Sequence, residues 1–192
     1  KEKQPKIETV RHSLAHILAY AVKELYPRVK FGIGPTIENG FYYDFGFASP
    51  ISENDLPKIE EKMRQLIKQN IGFDKKEIAK AEGEKIFKDQ PYKLELLGEA
   101  EQPTIYESEK FTDLCAGPHI QSTKEILADG FKLTKIAGAY WRGSEKNPML
   151  TRIYSVAFQT KKELENYLKI QEEAEKRDHR VLGQKLELFL FD

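Results

Sequence analysis

Two short segments hold most of the imidazoles and the single thiol of this chain, the groups that bind zinc-like metals or move a proton near neutral pH. "RHSLAH" (11–16) places His12 and His16 four residues apart, and "DLCAGPH" (113–119) places Cys115 and His119 at the same interval. They account for three of the four histidines and the only cysteine. On a helix, residues i and i+4 share a face, so both imidazoles of the first pair can reach one point. Gly117 and Pro118 make a helix unfavourable for the second pair, which should project from a loop. Thiolate and imidazole together suit a tetrahedral zinc site. The same groups can instead line a metal-free pocket whose imidazoles handle protons. Taken alone, a His pair on a helix is more often polar packing, and a lone Cys a small buried hydrophobe. Their joint occurrence favours a site.

The elements that must carry these groups can be read from periodicity. Val10, Leu14, Ile17, Leu18, Ala21 and Leu25 recur at helical spacing between Thr9 and Tyr26, and Pro27 marks the stop. On this helix His12 and His16 point away from the apolar stripe, beside Ala15 and Ala19. Residues 30–47 read as a β-hairpin with Asn39-Gly40 at the turn. Residues 52–69 read as a helix with Ser52 as its cap and Leu56, Ile59, Met63, Leu66 and Ile67 inward. A short strand near 73–78, a helix over 79–89 and a strand at 92–97 ("YKLELL") follow. Strands in "PTIYES" and "KFTDLC" precede the AGPH loop, and "FKLTKIAGAYWRG" pairs with "MLTRIYSVAF" around the turn "SEKNP". The tail from Thr160 is helical and highly charged, a solvated connector that includes His179.

Bulk properties bound the function. The 192 residues are 40% hydrophobic and 32% charged, as in an ordinary soluble globular protein. Formal net charge is zero, which removes any global electrostatic case for nucleic acid or membrane. A single cysteine excludes an internal disulfide framework and fits a reducing compartment. With no signal peptide and no apolar run of spanning length, a cytoplasmic location without membrane partners is expected. The chain opens on Lys1 without an initiator Met, so a piece of a longer protein is expected.

The text around the chemical residues carries a resemblance. "RHSLAHIL", "GPTIENGFYYDF", "FTDLCAGPH", "AGAYWRGSEKNPMLTRIYSVAF" and "EEAEKRDHRVLGQKLELF" resemble, in order from about Val10 to near the C-terminus, the editing region of bacterial-type threonyl-tRNA synthetases. The HxxxH and CxGxH signatures are shared with alanyl-tRNA synthetases and their free-standing relatives. "DLCAGPH", "AYWRG" and the "KRDHR" connector point to the threonyl family.

The resemblance implies an α+β fold, an antiparallel sheet with packed helices forming an editing cleft. Residues 1–8 would be a linker start, 9–158 the editing domain, and 159–192 a helical connector toward an absent aminoacylation domain. It implies hydrolysis of mischarged seryl-tRNA(Thr) to serine and tRNA(Thr), with the 3′ acceptor end of that tRNA as partner. Full-length members ligate threonine to tRNA(Thr) using ATP, magnesium and a zinc in the catalytic domain, and are expected to be homodimers through that domain. A synthetic pocket that accepts threonine admits serine, because a missing methyl group is worth only about 1–3 kcal/mol, so a second hydrolytic site is needed.

By the same resemblance, His12, His16, Lys93, Cys115 and His119 are the catalytic set, and Tyr43 and Asp113 bind substrate. His12 and Lys93 would organise the ester and the attacking water, while Asp113 and His119 orient the seryl amino and hydroxyl groups. The favoured reading needs no cofactor; if zinc binds, its ligands would be His12, His16, Cys115 and His119, as in the alanyl relatives. Among the aromatics and cations that could meet RNA (Tyr42, Tyr43, Tyr140, Trp141, Arg142), Tyr43 is singled out. Two alternatives remain: a free-standing alanyl-type deacylase with zinc, and an inactive module that binds the tRNA acceptor end.

Overall fold

The computed structural model describes residues 5–185, with side-chain surroundings up to residue 177. Residues 1–4 of the expected linker, the connector beyond 185 and the side chain of His179 lie outside the described residues.

Helix α1 (Ile7–Leu25) contains no glycine or proline and runs for 19 residues. It starts inside the segment expected to be linker. Its burial departs from a one-sided stripe: Arg11, Ser13 and His16 are buried along with Leu14, Ile17 and Leu18. The reason is that α1 is covered on more than one side. Arg11 Nε donates to the carbonyl of Ala157, the end of the main sheet, while Ser13 Oγ accepts from Ile120 N in a loop of the other sheet. His16, expected off the core face, packs edge-on against Phe73 and Phe111 and is 3% exposed.

The main sheet comprises β1 (Lys30–Phe31), β2 (Thr36–Ile37), β3 (Gly40–Gly46), β7 (Phe131–Tyr140) and β8 (Met149–Ala157). Its order is β1-β3-β8-β7 with β2 also on β3, all neighbours antiparallel. Period-two alternation sends Phe41, Tyr43 and Phe45 into the core. The expected hairpin over 30–47 is present, with its turn at Glu38-Asn39 and Gly40 already in β3. Only glycine fits there, since a Cβ would lie 1.9 Å from the Ser155 carbonyl oxygen. The second sheet is β4 (Asp74–Glu77), β5 (Thr104–Ser108) and β6 (Phe111–Leu114) in that order.

Helix α2 (Leu56–Lys68) buries Leu56, Ile59, Met63, Leu66 and Ile67 as its periodicity requires. Ser52 forms a capping box with Asp55 ahead of it. Helices α3 (Lys80–Ile86) and α4 (Pro91–Glu99) lie between β4 and β5 of the second sheet in sequence, and α5 (Lys161–Lys185) is the charged helix. α4 corrects the strand expected at 92–97. Pro91 occupies the first helical turn, where its missing N–H costs nothing, and Lys93 and Leu97 are buried one turn apart. The architecture is α+β with antiparallel sheets. No described helix is long and apolar enough to cross a membrane.

Candidate active site

One cavity of about 310 Å³ is lined by all seven residues singled out from the sequence: His12, His16, Tyr43, Lys93, Asp113, Cys115 and His119. They come from four places in the fold. α1 supplies His12 and His16, β3 supplies Tyr43, α4 supplies Lys93, and β6 with its following loop supplies the rest. Ala15, Ile33, Gly34, Pro35, Leu96 and Leu114 complete the wall. Gly34 is confined by Tyr43, whose ring would lie 2.3 Å from any Cβ there.

The groups sort into two chemical centres. In the first, Lys93 Nζ lies 2.6 Å from Asp113 Oδ1, and Tyr43 Oη donates to Asp113 Oδ2 at 2.7 Å. All three side chains are buried, and the ammonium also stands over the Tyr43 ring. Burial, with the Asp113 carboxylate beside it, pushes the Tyr43 phenol well above its usual range, so it remains a neutral donor. Tyr43 is thus a wall of the cavity whose hydroxyl is already engaged. It is 2% exposed, which corrects the expectation that it offers a stacking face to RNA.

In the second centre, Cys115 Sγ lies 3.1 Å from His12 Nε2 and 3.4 Å from His119 Nε2. Outer contacts fix which ring nitrogens face inward. His12 Nδ1 meets the Pro118 carbonyl oxygen at 3.2 Å, and a carbonyl can only accept, so Nδ1 carries the proton. Ser13 Oγ spends its proton on the Thr9 carbonyl and accepts from Ile120 N, leaving it to accept from His119 Nδ1 at 3.0 Å. Both Nε2 atoms therefore present lone pairs toward the sulfur. The loop that brings Pro118 over His12 depends on Gly117, at φ +75°, where a Cβ would fall 2.1 Å from Tyr106 Oη.

Burial keeps this centre neutral. It lowers His12, and lowers His119 to about 2 with the neighbouring imidazoles contributing. It raises the Cys115 thiol to about 11. His16 is lowered to about 3, by burial first and by the Lys93 charge second. Neither His16 nitrogen has a hydrogen-bond partner among the described residues.

His12, Cys115 and His119 offer ligand atoms all within 4.8 Å of one another, while His16 is not of that group. The four-ligand set expected for zinc is thereby corrected to three, because the buried ring of His16 is held among Phe73 and Phe111. Two imidazoles and a thiol, with both Nδ1 protons held by outer acceptors, fit a zinc ion with an open fourth position.

Several residues weighed for RNA contact lie elsewhere. Tyr42 faces the other side of the sheet from Tyr43, with the Arg152 guanidinium 3.8 Å from its ring centroid. Trp141 is 4% exposed and its indole donates to Glu95. Sequence reading missed Ser13, although it lies inside the HxxxH segment. The signal was a hydroxyl one turn beyond Thr9 and three residues before His16, on the face of α1 that i, i+3 spacing gives His16.

Residues 104–154, from β5 to β8, match the family model described as "Threonyl and Alanyl tRNA synthetase second additional domain". Across 190 residues, 96% of this chain, it is 57% identical to a protein named threonine-tRNA ligase from Thermotoga neapolitana. It is 53% identical over 185 residues to the like-named protein of Dehalococcoides mccartyi, and 50% identical over 182 residues to that of Borreliella burgdorferi. The matches cover 95% and 93% of this chain respectively. In each case the chain spans only 29–31% of the relative's length.

Proposed function

We propose, on the premise that this chain is homologous to the editing region of threonine-tRNA ligases, that it hydrolyses the ester of seryl-tRNA(Thr), releasing serine and tRNA(Thr). The observation that carries this reading is the opening of two centres, the Lys93–Asp113 pair and the His12–Cys115–His119 cluster, onto one cavity.

His12, neutral near pH 7 and with its Nε2 lone pair inward, accepts the proton of the attacking water. Lys93 supplies positive charge toward the ester oxygen as the tetrahedral intermediate forms. Asp113, already anchored by Tyr43, holds the seryl ammonium, and His119 orients the seryl hydroxyl. Collapse breaks the bond to the terminal ribose oxygen, which takes the proton back from His12. Threonine is excluded by its extra methyl group, the inverse of the discrimination available to a synthetic pocket.

The favoured chemistry is carried by side chains alone. A second reading rests on the convergence of the three ligand atoms within 4.8 Å. His12, Cys115 and His119 would hold zinc, which when bound would lower the pKa of a coordinated water. The partner is the 3′ end of tRNA(Thr); in the longer relatives' setting, ATP use and homodimerisation are proposals about the whole protein, as is a cytoplasmic location.

The test is single-turnover deacylation of Ser-tRNA(Thr) and Thr-tRNA(Thr) with and without chelator. Cleavage of the seryl ester alone, unaffected by chelator, supports the metal-free reading. Loss of cleavage on chelation, restored by zinc, transfers the chemistry to the second reading. Failure to cleave the seryl ester under either condition would leave a module that binds the acceptor end.

A further inference from the structure

The AYWRG segment is diagnostic in sequence yet has no part in the cavity. The structure puts it against the back of the helix that delivers Lys93. Trp141 is buried, and its Nε1 donates to Glu95 Oε2 at 2.9 Å. Arg142 forks across the same helix, with Nε 2.7 Å from Glu95 Oε1 and a terminal nitrogen 2.8 Å from Glu99 Oε1. Tyr92 packs on the Trp141 ring at 4.9 Å between centroids.

The angular arrangement gives this grip a purpose. At about 100° per residue, Glu95 lies roughly 200° from Lys93 around α4, with Glu99 one turn beyond it. Arg142 therefore holds one face of α4 while Lys93 enters the cavity from the other. The opposite end of α4 is tied separately: the side chain of Gln90 accepts from Phe31 N and donates to the Val29 carbonyl. A helix of 9 residues is thus pinned at its start by β1 and along its back by the β7–β8 loop.

Arg142 adopts φ 54°, ψ 24°, the left-handed region that a side chain enters at a cost. The loop itself is closed by Trp141 N donating to the Pro148 carbonyl and by Asn147 Nδ2 donating to the Trp141 carbonyl. A loop closed by these bonds, holding an arginine in an unfavourable backbone conformation, directs that guanidinium onto α4.

We propose that the β7–β8 loop is a positioning clamp: Trp141 and Arg142, through Glu95 and Glu99, fix where the Lys93 ammonium stands in the cavity. The catalytic consequence rests on the deacylase reading above; the positioning itself does not. Among the described residues Arg142 forms ion pairs with Glu95 and Glu99, neither of which lines the cavity, and so acts on Lys93 through α4. Misplacement of a charge-stabilising group by a fraction of an ångström lowers rate without weakening substrate capture, because the charge it meets develops mainly in the transition state.

The test uses this chain with Arg142→Ala, made alone and with Lys93→Met, and two readouts. The first is the ¹H–¹⁵N spectrum of lysine ammonium groups, in which the buried, paired Lys93 should give a resolved signal. The second is single-turnover cleavage of Ser-tRNA(Thr). Arg142→Ala should shift or broaden the Lys93 signal and slow cleavage at saturation roughly 10-fold, with half-saturation unchanged. It should cause no further loss in the Lys93→Met background. An unmoved Lys93 signal, or an equal loss in both backgrounds, would overturn the clamp. If the unsubstituted chain does not cleave the ester, or Lys93→Met cleaves at full rate, the deacylase mechanism fails. The ammonium signal then still decides the clamp: moved, it stands; unmoved, it falls.

Discussion

Lys93 Nζ and Asp113 Oδ1 lie 2.6 Å apart with side chains 3% and 7% exposed, a fully formed ion pair in the wall of a cavity. Removing one partner strands the other. Asp113→Ala should therefore cost about 3–5 kcal/mol of stability, read from denaturant midpoints. Replacing both with apolar groups of similar volume, Lys93→Met with Asp113→Leu, should recover most of that loss. Deacylation should stay abolished in the double variant. Stability and activity would then part company, as expected for a pair kept for chemistry.

Acid should weaken the fold through its histidines. His16 and His119 are held at about 3 and about 2, below the ordinary imidazole value of 6.5. The unfolded chain takes up these protons below about pH 6.5 while the folded chain does not, so stability is full above that pH and falls as pH drops toward 3. Two such groups set a slope of up to about 2.7 kcal/mol per pH unit inside the window. Urea titrations at pH 7, 5 and 4 check it, and His16→Phe should flatten the slope by about half.

The Cys115 thiol is pushed up to about 11, chiefly by burial. Alkylation by iodoacetamide should be slow at pH 7 and should accelerate toward pH 11, measured by mass spectrometry in metal-free buffer. By the same sign, the fold loses stability as pH rises from about 9 through 11, where the unfolded thiol ionises first. A reaction rate at pH 7 equal to that of a free peptide thiol would contradict the buried geometry.

Metal affinity should separate the histidines. Cobalt titration should give a thiolate charge-transfer band that survives His16→Ala and is lost in Cys115→Ala and His119→Ala, since His12, Cys115 and His119 are the ligand atoms that converge among the described residues. Each binding event should release a proton from the thiol. Equal loss in His16→Ala would restore the four-ligand set.

Chemical residues were easier to read from sequence than their surroundings. His12, Cys115 and His119 could be named because few residue types do such chemistry and their spacing is local. The strand expected at 92–97 failed because "YKLELL" alternates well enough for either period over so few residues, and Pro91 reads equally as a helix start. His16 misled for a different reason. A helical wheel shows one apolar stripe, but α1 is covered on its polar side by residues more than a hundred positions away, such as Ile120 on Ser13. No local pattern carries that information. The hairpin over 30–47 was accessible because its turn residues are local, the α+β architecture came only from the family resemblance, and the β3–β8 pairing was carried by no local signal.

That pairing has a consequence for how the protein comes into being. β3 finds its central partner only when β8 exists, with Gly40 opposite Val156, and Arg11 is tied to Ala157 across 146 positions. Closing such distances is slow, since the entropy of the long loop is lost before any contact rewards it. A chain emerging in order from its N-terminus would thus hold His12 and Tyr43 well before the strand that pairs centrally with β3 exists. The sheet that carries Tyr43 gains its central neighbour only when β8 arrives.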